Sequence, residues 1–83
     1  MNLRKAAEGQ PCVMCGAEDG TTVLHHIRTG HLGIGKKPKD HRGIDLCSKC
    51  HTYVHGDGIH DYKAVLIAYL RQVDRWLEAG AFK

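Results

Sequence analysis

Long hydrophobic runs are missing from this sequence of 83 residues. No stretch approaches the roughly 20 apolar residues that a membrane-spanning helix needs. The charged residues Arg4 and Lys5 near the start are not followed by the hydrophobic region of a signal peptide. We therefore expect a cytoplasmic protein that has no membrane partner. Because the cytoplasm is reducing, the cysteine pairs of this protein are expected to bind metal rather than form disulfides.

Internal repeats and low-complexity segments are also missing, and the length suits one domain over residues 1–83. A chain of this size buries only a small core, so it often depends on a metal or a disulfide for stability. The sequence does contain four cysteines, seven histidines and a net charge of +3. These features indicate how the chain is stabilised and what it binds.

The four cysteines form two CxxC pairs, Cys12 with Cys15 and Cys47 with Cys50. Tetrahedral zinc takes four ligands, and two such pairs provide four thiolates. Gly16 follows the first pair and allows a tight turn whose amides face the sulfurs. We predict a structural Zn²⁺ held by all four cysteines, with two disulfides or an iron–sulfur cluster as the alternatives.

Short elements are predicted around these cysteines. A zinc knuckle, a β-hairpin and a helix that carries the second cysteine pair, all within residues 12–55, are the layout of a treble-clef zinc fold. The chain is therefore predicted to be a small α+β domain stabilised by zinc. The predicted elements are a helix over 3–8, strands over 21–27 and 43–46, and a helix from 47 that Gly56 ends.

Residues 61–79 carry a strong amphipathic pattern, with Asp61 as the predicted N-cap. We expect this C-terminal helix to cover the zinc module and to provide most of the apolar burial. A homodimer through Tyr69, Val73 and Trp76 is the alternative, so the pattern agrees with a monomer or a homodimer. The apolar positions recur every three or four residues and are Tyr62, Val65, Leu66, Tyr69, Leu70, Val73, Trp76 and Leu77.

A zinc ion held by four cysteines has no open coordination position, so it does not take part in catalysis. Four histidines remain as candidates for a catalytic role. His51 and His55 are four residues apart on the predicted helix, so both can reach one ion. His25 and His26 end the first predicted strand and would face that helix. Three neutral imidazoles can bind a divalent ion and leave positions open for phosphate and water, while the fourth can act as a general base.

Basic residues are concentrated between the two histidine pairs. From His25 to Cys50 only Asp40 and Asp45 oppose them. A local positive excess beside a metal site suits a nucleic-acid backbone, although a solvated loop would have the same composition. The predicted DNA-binding residues are Arg28, Lys36, Lys37, Lys39 and Arg42.

A cysteine knuckle, HHI at a strand end and LCxxCHxxxH on a helix together resemble the HNH (ββα-metal) endonucleases. The chain is still more similar to a small YbcO-like nuclease family encoded by phages and prophages. The C-terminal helix resembles that family only in general character. The segments that carry the closer similarity are LRKAA at 3–7, TVLxHIR at 22–28, GxGxKPxD at 33–40 and CSxCH at 47–51.

The resemblance implies a role for each of the four histidines. His26 matches the general base that activates water, and His25, His51 and His55 match ligands of a catalytic divalent ion. Mg²⁺ is the ion expected first, with Mn²⁺, Ni²⁺ or Zn²⁺ as alternatives. The ion would contact the scissile phosphate and stabilise the leaving 3′ oxygen.

One residue of the HNH pattern is missing. The chain's only asparagine is Asn2, so no asparagine occupies the middle position of the pattern, in the hairpin before the helix. Asp40, His41 or Asp45 could replace its orienting hydrogen bonds.

These observations predict a metal-dependent DNA endonuclease that hydrolyses phosphodiester bonds in a bacterial host. The alternative is a non-catalytic treble-clef module that binds nucleic acid or a partner protein. The histidine pair on the strand together with HxxxH on the helix favours the enzyme, because a binding module would not need this set.

Overall fold

The computed structural model describes residues 2–27 and 39–81. In this part of the chain, helices and one small sheet confirm the predicted α+β class. Every helix there is too short or too polar to span a bilayer. In chain order the elements are α1 (Leu3–Ala7), β1 (Val23–His26), a 3-10 turn (Asp40–Arg42), β2 (Gly43–Leu46), α2 (Ser48–His55) and α3 (Tyr62–Glu78).

The two strands pair antiparallel as a hairpin, with Val23 opposite Leu46 and His26 opposite Gly43. Gly43 is needed for this pairing, because a Cβ at that position would lie 2.7 Å from the Leu24 Cδ1 and 3.0 Å from the His25 carbonyl oxygen. The glycine therefore allows β2 to approach β1 closely at the end of β1 that carries His25 and His26.

The core lies on β2, all four residues of which are buried. One side of the core is formed by the cysteine knuckle and α2, and the other by α3. Because the four-cysteine group belongs to this small core, its thiols contribute to packing as well as to metal binding. The buried cluster contains Cys12, Val13, Ile44, Leu46, Cys47, Cys50, Val54 and Ala68.

Helix α3 begins where its capping residue predicts. The Asp61 carboxylate accepts a hydrogen bond from the Ala64 amide at 3.2 Å, which satisfies one of the free donors of the first turn. The helix packs on β2 through Ala68 and Gln72, which are 1% and 0% exposed. The Gln72 side-chain oxygen accepts from the Asp45 amide at 2.8 Å, so a polar residue joins the helix to the strand.

Half of the apolar stripe of α3 does not pack on the zinc module. Trp76 is buried, and Val65 and Tyr69 are partly buried against the core. The expectation that α3 would provide most of the apolar burial is wrong, because the helix turns its Ala68–Gln72 side to β2 and only Ala68 and Trp76 of its apolar residues are buried. The residues left exposed by more than half are Tyr62, Leu66, Leu70 and Leu77.

Two arginines tie α3 to the cysteine knuckle. Arg75 donates to the Pro11 carbonyl at 2.9 Å and to the Asp45 carboxylate at 3.1 Å. Arg71 donates to the Val13 carbonyl at 3.3 Å. Burial raises the pKa of Asp45, although the Gln72 and Arg75 hydrogen bonds oppose that shift. The Arg75 guanidinium is therefore the cation that compensates a buried carboxylate.

We expect Arg75→Ala to lower the free energy of unfolding by about 3 kcal/mol, because it leaves the Asp45 carboxylate buried without its cation. The measurement is urea denaturation of the zinc-loaded protein, followed by Trp76 fluorescence. Arg71→Ala is the matched control, since it removes a bond to a knuckle carbonyl one turn away and should cost about 1 kcal/mol. Equal losses in the two variants would contradict this account of Asp45.

Candidate functional site

The four cysteines converge on one point between the knuckle and the start of α2. Cys12 and Cys15 lie in a tight turn closed by the Gly16 amide, which donates to the Cys12 carbonyl at 2.8 Å. Gly16 has a φ of 80°, which a glycine adopts without strain. Cys47 directly precedes α2, and Cys50 lies in its first turn.

The four free thiols have the spacing of a zinc site. Their sulfur atoms all lie within 4.8 Å of one another, and the Cys15 and Cys47 sulfurs are 3.7 Å apart. Tetrahedral zinc with bonds of about 2.3 Å requires sulfurs separated by about 3.8 Å. The four cysteines can therefore bind a structural zinc ion, as the sequence predicted.

The electrostatics of the thiols agree with a cation among them. Burial opposes ionisation of Cys12, yet hydrogen bonds from the backbone of Cys47, Cys15 and Met14 lower its pKa to about 7. Burial and then the neighbouring thiols raise the pKa of Cys50. The Cys12 thiolate is thus stabilised by amides, while Cys50 needs a positive ion to ionise beside it.

Three imidazoles form a second group on the other side of α2. His25 ends β1 with His26, while His51 and His55 lie one turn apart on α2. Their ring centroids are 4.6 to 5.2 Å apart, with the rings edge to face, and one ring nitrogen of each lies within 4.8 Å of the others. We call these three residues the histidine triad.

The spacing and protonation of the histidine triad suit a metal ion. The Nε2 atoms of His51 and His55 are 3.2 Å apart. This agrees with a shared metal ion, because nitrogen ligands bound at about 2.0–2.1 Å lie roughly 3 Å from each other. Burial, and then the charge of His55, lower the pKa of His51. The neutral imidazole is the form that binds metal. His55 is exposed, so the triad is open to solvent on one side.

His26 is turned away from the triad towards an acidic partner. Its Nε2 lies 2.8 Å from the Asp40 Oδ1, and the Arg4 Nε donates to the same oxygen at 3.2 Å. The His26 hydrogen bond and then the Arg4 charge lower the pKa of Asp40. Because an ionised carboxylate only accepts hydrogen bonds, Nε2 carries the proton and Nδ1 is left as the acceptor.

Of the three candidates for the missing asparagine's contact, only Asp40 touches His26 among the described residues. Asp45 is buried under α3 against Arg75, and His41 uses its carbonyl to accept from the Tyr69 hydroxyl. Arg4, to which the sequence assigned no role at this site, completes the group through its hydrogen bond to Asp40. Its signal was the LRKAA segment, which carried the family resemblance without a stated role.

Two members of the triad, His25 and His55, line the same cleft as His26, and the cleft has a volume of about 530 Å³. Adjacent residues of a strand point to opposite sides, but β1 ends at His26 and its two histidines both reach the cleft. A metal-binding group and a free imidazole acceptor are therefore next to one open space. The cleft is lined by His25, His26, Ile27, Val54, His55, Gly58, Ile59, Tyr62 and Val65.

Two of the five predicted DNA-binding residues, Lys39 and Arg42, are among the residues that the structure describes. Lys39 directly precedes the 3-10 turn that carries Asp40, Arg42 is the last residue of that turn, and both are exposed. Both are therefore near the His26 partner and free to meet a phosphate backbone. The predicted contacts of Arg28, Lys36 and Lys37 lie outside the described residues.

We expect Cys47→Ser to lose zinc and the folded state, because a hydroxyl replaces a thiolate in a site coupled to folding. Zinc content measured by atomic emission should fall from about one ion per chain to none, with loss of helical circular dichroism. His51→Ala is the control and should keep both, since it changes only the triad. A folded, zinc-free Cys47→Ser protein would show that this group does not hold the fold.

Comparison with known proteins identifies one family. A family described as "Putative nuclease YbcO" matches residues 1–79. Neither the curated proteins nor the solved structures gave a significant match. The family match includes the four cysteines, the histidine triad, His26 and Asp40, so it extends over every residue of the site described above. The chain belongs to the YbcO family of nucleases, as its resemblance predicted.

Proposed function

We propose that this protein is a metal-dependent DNA endonuclease of the HNH (ββα-metal) type, which hydrolyses phosphodiester bonds. The observation that carries the proposal is the pairing of a histidine triad with the His26–Asp40 hydrogen bond at one cleft. A metal group and an oriented base are the two parts that phosphodiester hydrolysis needs. Family membership independently implies a nucleic-acid substrate.

The arrangement of the elements supports the HNH type. A knuckle and a β-hairpin lead into a helix that begins with the second cysteine pair, which agrees with a treble-clef layout. Cys50 and His51 are neighbours on that helix, about 100° apart around its axis. One helix can therefore carry a closed thiolate site on one side and an open imidazole site on the other.

His25, His51 and His55 would hold the catalytic ion, which when bound would stabilise charge on the scissile phosphate and on the leaving 3′ oxygen. A donor set of three imidazoles is typical of transition metals, whereas Mg²⁺ prefers oxygen ligands. The donor chemistry therefore favours Mn²⁺, Ni²⁺ or Zn²⁺ over the Mg²⁺ that was expected first. Oxygens of phosphate and water would complete the coordination.

His26 is the proposed general base. With its Nε2–H donated to Asp40, the Nδ1 lone pair is available to take a proton from the attacking water. Histidine is the side chain best suited to that transfer near neutral pH. As His26 gains the proton, the Asp40 carboxylate stabilises the cation that forms, and Arg4 keeps Asp40 ionised.

Basic side chains would hold the DNA backbone across the cleft. Lys39 and Arg42 lie next to Asp40, one just before the 3-10 turn and one at its end, and Arg28, Lys36 and Lys37 are proposed to join them. Contacts of this kind go to phosphates and carry no sequence information. We therefore expect cleavage with low sequence preference.

We expect His26→Ala to reduce plasmid nicking at least ~100-fold, because the variant lacks the imidazole that accepts the proton. The assay adds Mg²⁺, Mn²⁺, Ni²⁺ or Zn²⁺ separately to zinc-loaded protein. His41→Ala is the matched control, a nearby exposed histidine whose side chain is not assigned a role. If the folded His26→Ala variant nicks plasmid as fast as wild type, His26 is not the general base. If the wild-type protein binds DNA but does not cleave it, the non-catalytic module is favoured instead.

We expect Asp40→Asn to lower kcat about 10- to 100-fold with little change in KM. The amide keeps a polar contact to His26 but can donate to Nε2, which would move the imidazole proton to Nδ1 and block the acceptor. A ¹⁵N NMR measurement of His26 shows directly which ring nitrogen carries the proton. An unchanged tautomer together with unchanged kcat would remove Asp40 as the positioning residue.

A further inference from the structure

The exposed face of α3 carries a continuous row of apolar side chains. Tyr62 is 70% exposed, and Leu66, Leu70 and Leu77 are each 57% exposed. Val73, which is half-buried, lies between the last two. At 3.6 residues per turn these five positions fall within an arc of about 80°, and we call them the uncovered stripe.

The uncovered stripe has an area like that of the largest apolar patch on a typical monomer, and such a patch often has a function. Side chains of this size, exposed by more than half, leave roughly 400 Å² of apolar surface in one row, which is typical of an interaction site. Paired with an equal row and its flanks, it would bury on the order of 1,000–1,200 Å², the size of a small specific interface. The stripe is therefore large enough for a weak dimer.

The spacing of the stripe suits another helix. Its positions follow one another at intervals of four, four, three and four residues, an average close to the 3.6 residues per turn of a straight α-helix, so the row stays on one side of α3 along its length. The adjoining side of α3 is already occupied, since Ala68, Gln72 and Trp76 are buried and lie outside the arc of the stripe, about 40° to 120° from Tyr62. A partner helix would therefore lie beside α3 without displacing the core.

Charges on one flank of the stripe identify the partner and its direction. Lys63 lies near the start of α3, and Asp74 and Glu78 lie near its end; all three are exposed. On the helix they fall on the same side of the stripe, about 100° to 160° from Tyr62. The flank is therefore basic at one end and acidic at the other, so it complements a reversed copy of itself.

We propose that two copies of this chain form an antiparallel dimer through the uncovered stripe, with Leu70 near the two-fold axis. In that arrangement Lys63 of each copy lies beside the acidic end of the other helix. A parallel pair would put the charged flanks on opposite sides of the seam, where they could not meet. The two clefts would lie towards opposite ends of the helix pair, about 24 Å apart along the axis.

The first test measures mass by sedimentation equilibrium on zinc-loaded full chain, without DNA or a catalytic metal, so it is independent of nuclease activity. Wild type should dimerise, and Leu70→Glu should weaken association ~100-fold or more, because two carboxylates would be buried together. Val23→Glu is the control, a change at another exposed apolar residue that should leave the dimer intact. A monomeric wild type, or a Leu70→Glu dimer of unchanged affinity, overturns the proposal.

The second test concerns the direction of the helices. Glu78→Lys and Lys63→Glu should each weaken the dimer about tenfold, since each brings like charges together at two symmetric places. The double variant restores opposite charges and should recover most of the wild-type affinity. Failure of the double variant to recover, with zinc content and circular dichroism unchanged, rejects the antiparallel arrangement.

Discussion

The convergence of the four cysteines is the constraint on which the rest of this structure depends. It joins the knuckle at Cys12 to the start of α2 at Cys47, although residues 16–46 separate the two pairs. Because Cys50 is in the first turn of α2, the same convergence sets where that helix begins and how it is rotated. The positions of His51 and His55 opposite His25 follow from that rotation.

Helix α2 separates a structural role from a chemical one. Its thiols are in the core, where burial makes ionisation unfavourable unless a cation is present. Its imidazoles lie near the surface, where the lowered pKa of His51 favours its neutral form and the exposed His55 can meet a substrate. The base is supplied by β1 instead, since His26 is held by Asp40 from the 3-10 turn. The proposed chemistry thus needs the hairpin and the helix together.

The C-terminal helix shows how a small core limits what can be buried. Its apolar arc is wider than the face that β2 and the knuckle can cover, so α3 packs through Ala68, Gln72 and Trp76. Asp45 illustrates the cost of that packing, because its carboxylate is 2% exposed and depends on Arg75. What the core leaves uncovered becomes surface that is available to a second copy.

The sequence by itself determined the α+β class, the two cysteine pairs, the His51–His55 pair and the family, whereas only the resemblance singled out His25 as their partner. These follow from short spacings such as CxxC and HxxxH, from strand and helix periods, and from caps such as Asp61, all of which act locally. Only the tertiary structure decided that Asp40 and Arg4 meet His26 and that Leu70 stays exposed. Those contacts join residues that are distant in the chain, and helix rotation depends on how side chains of different size fit together, which no local pattern records.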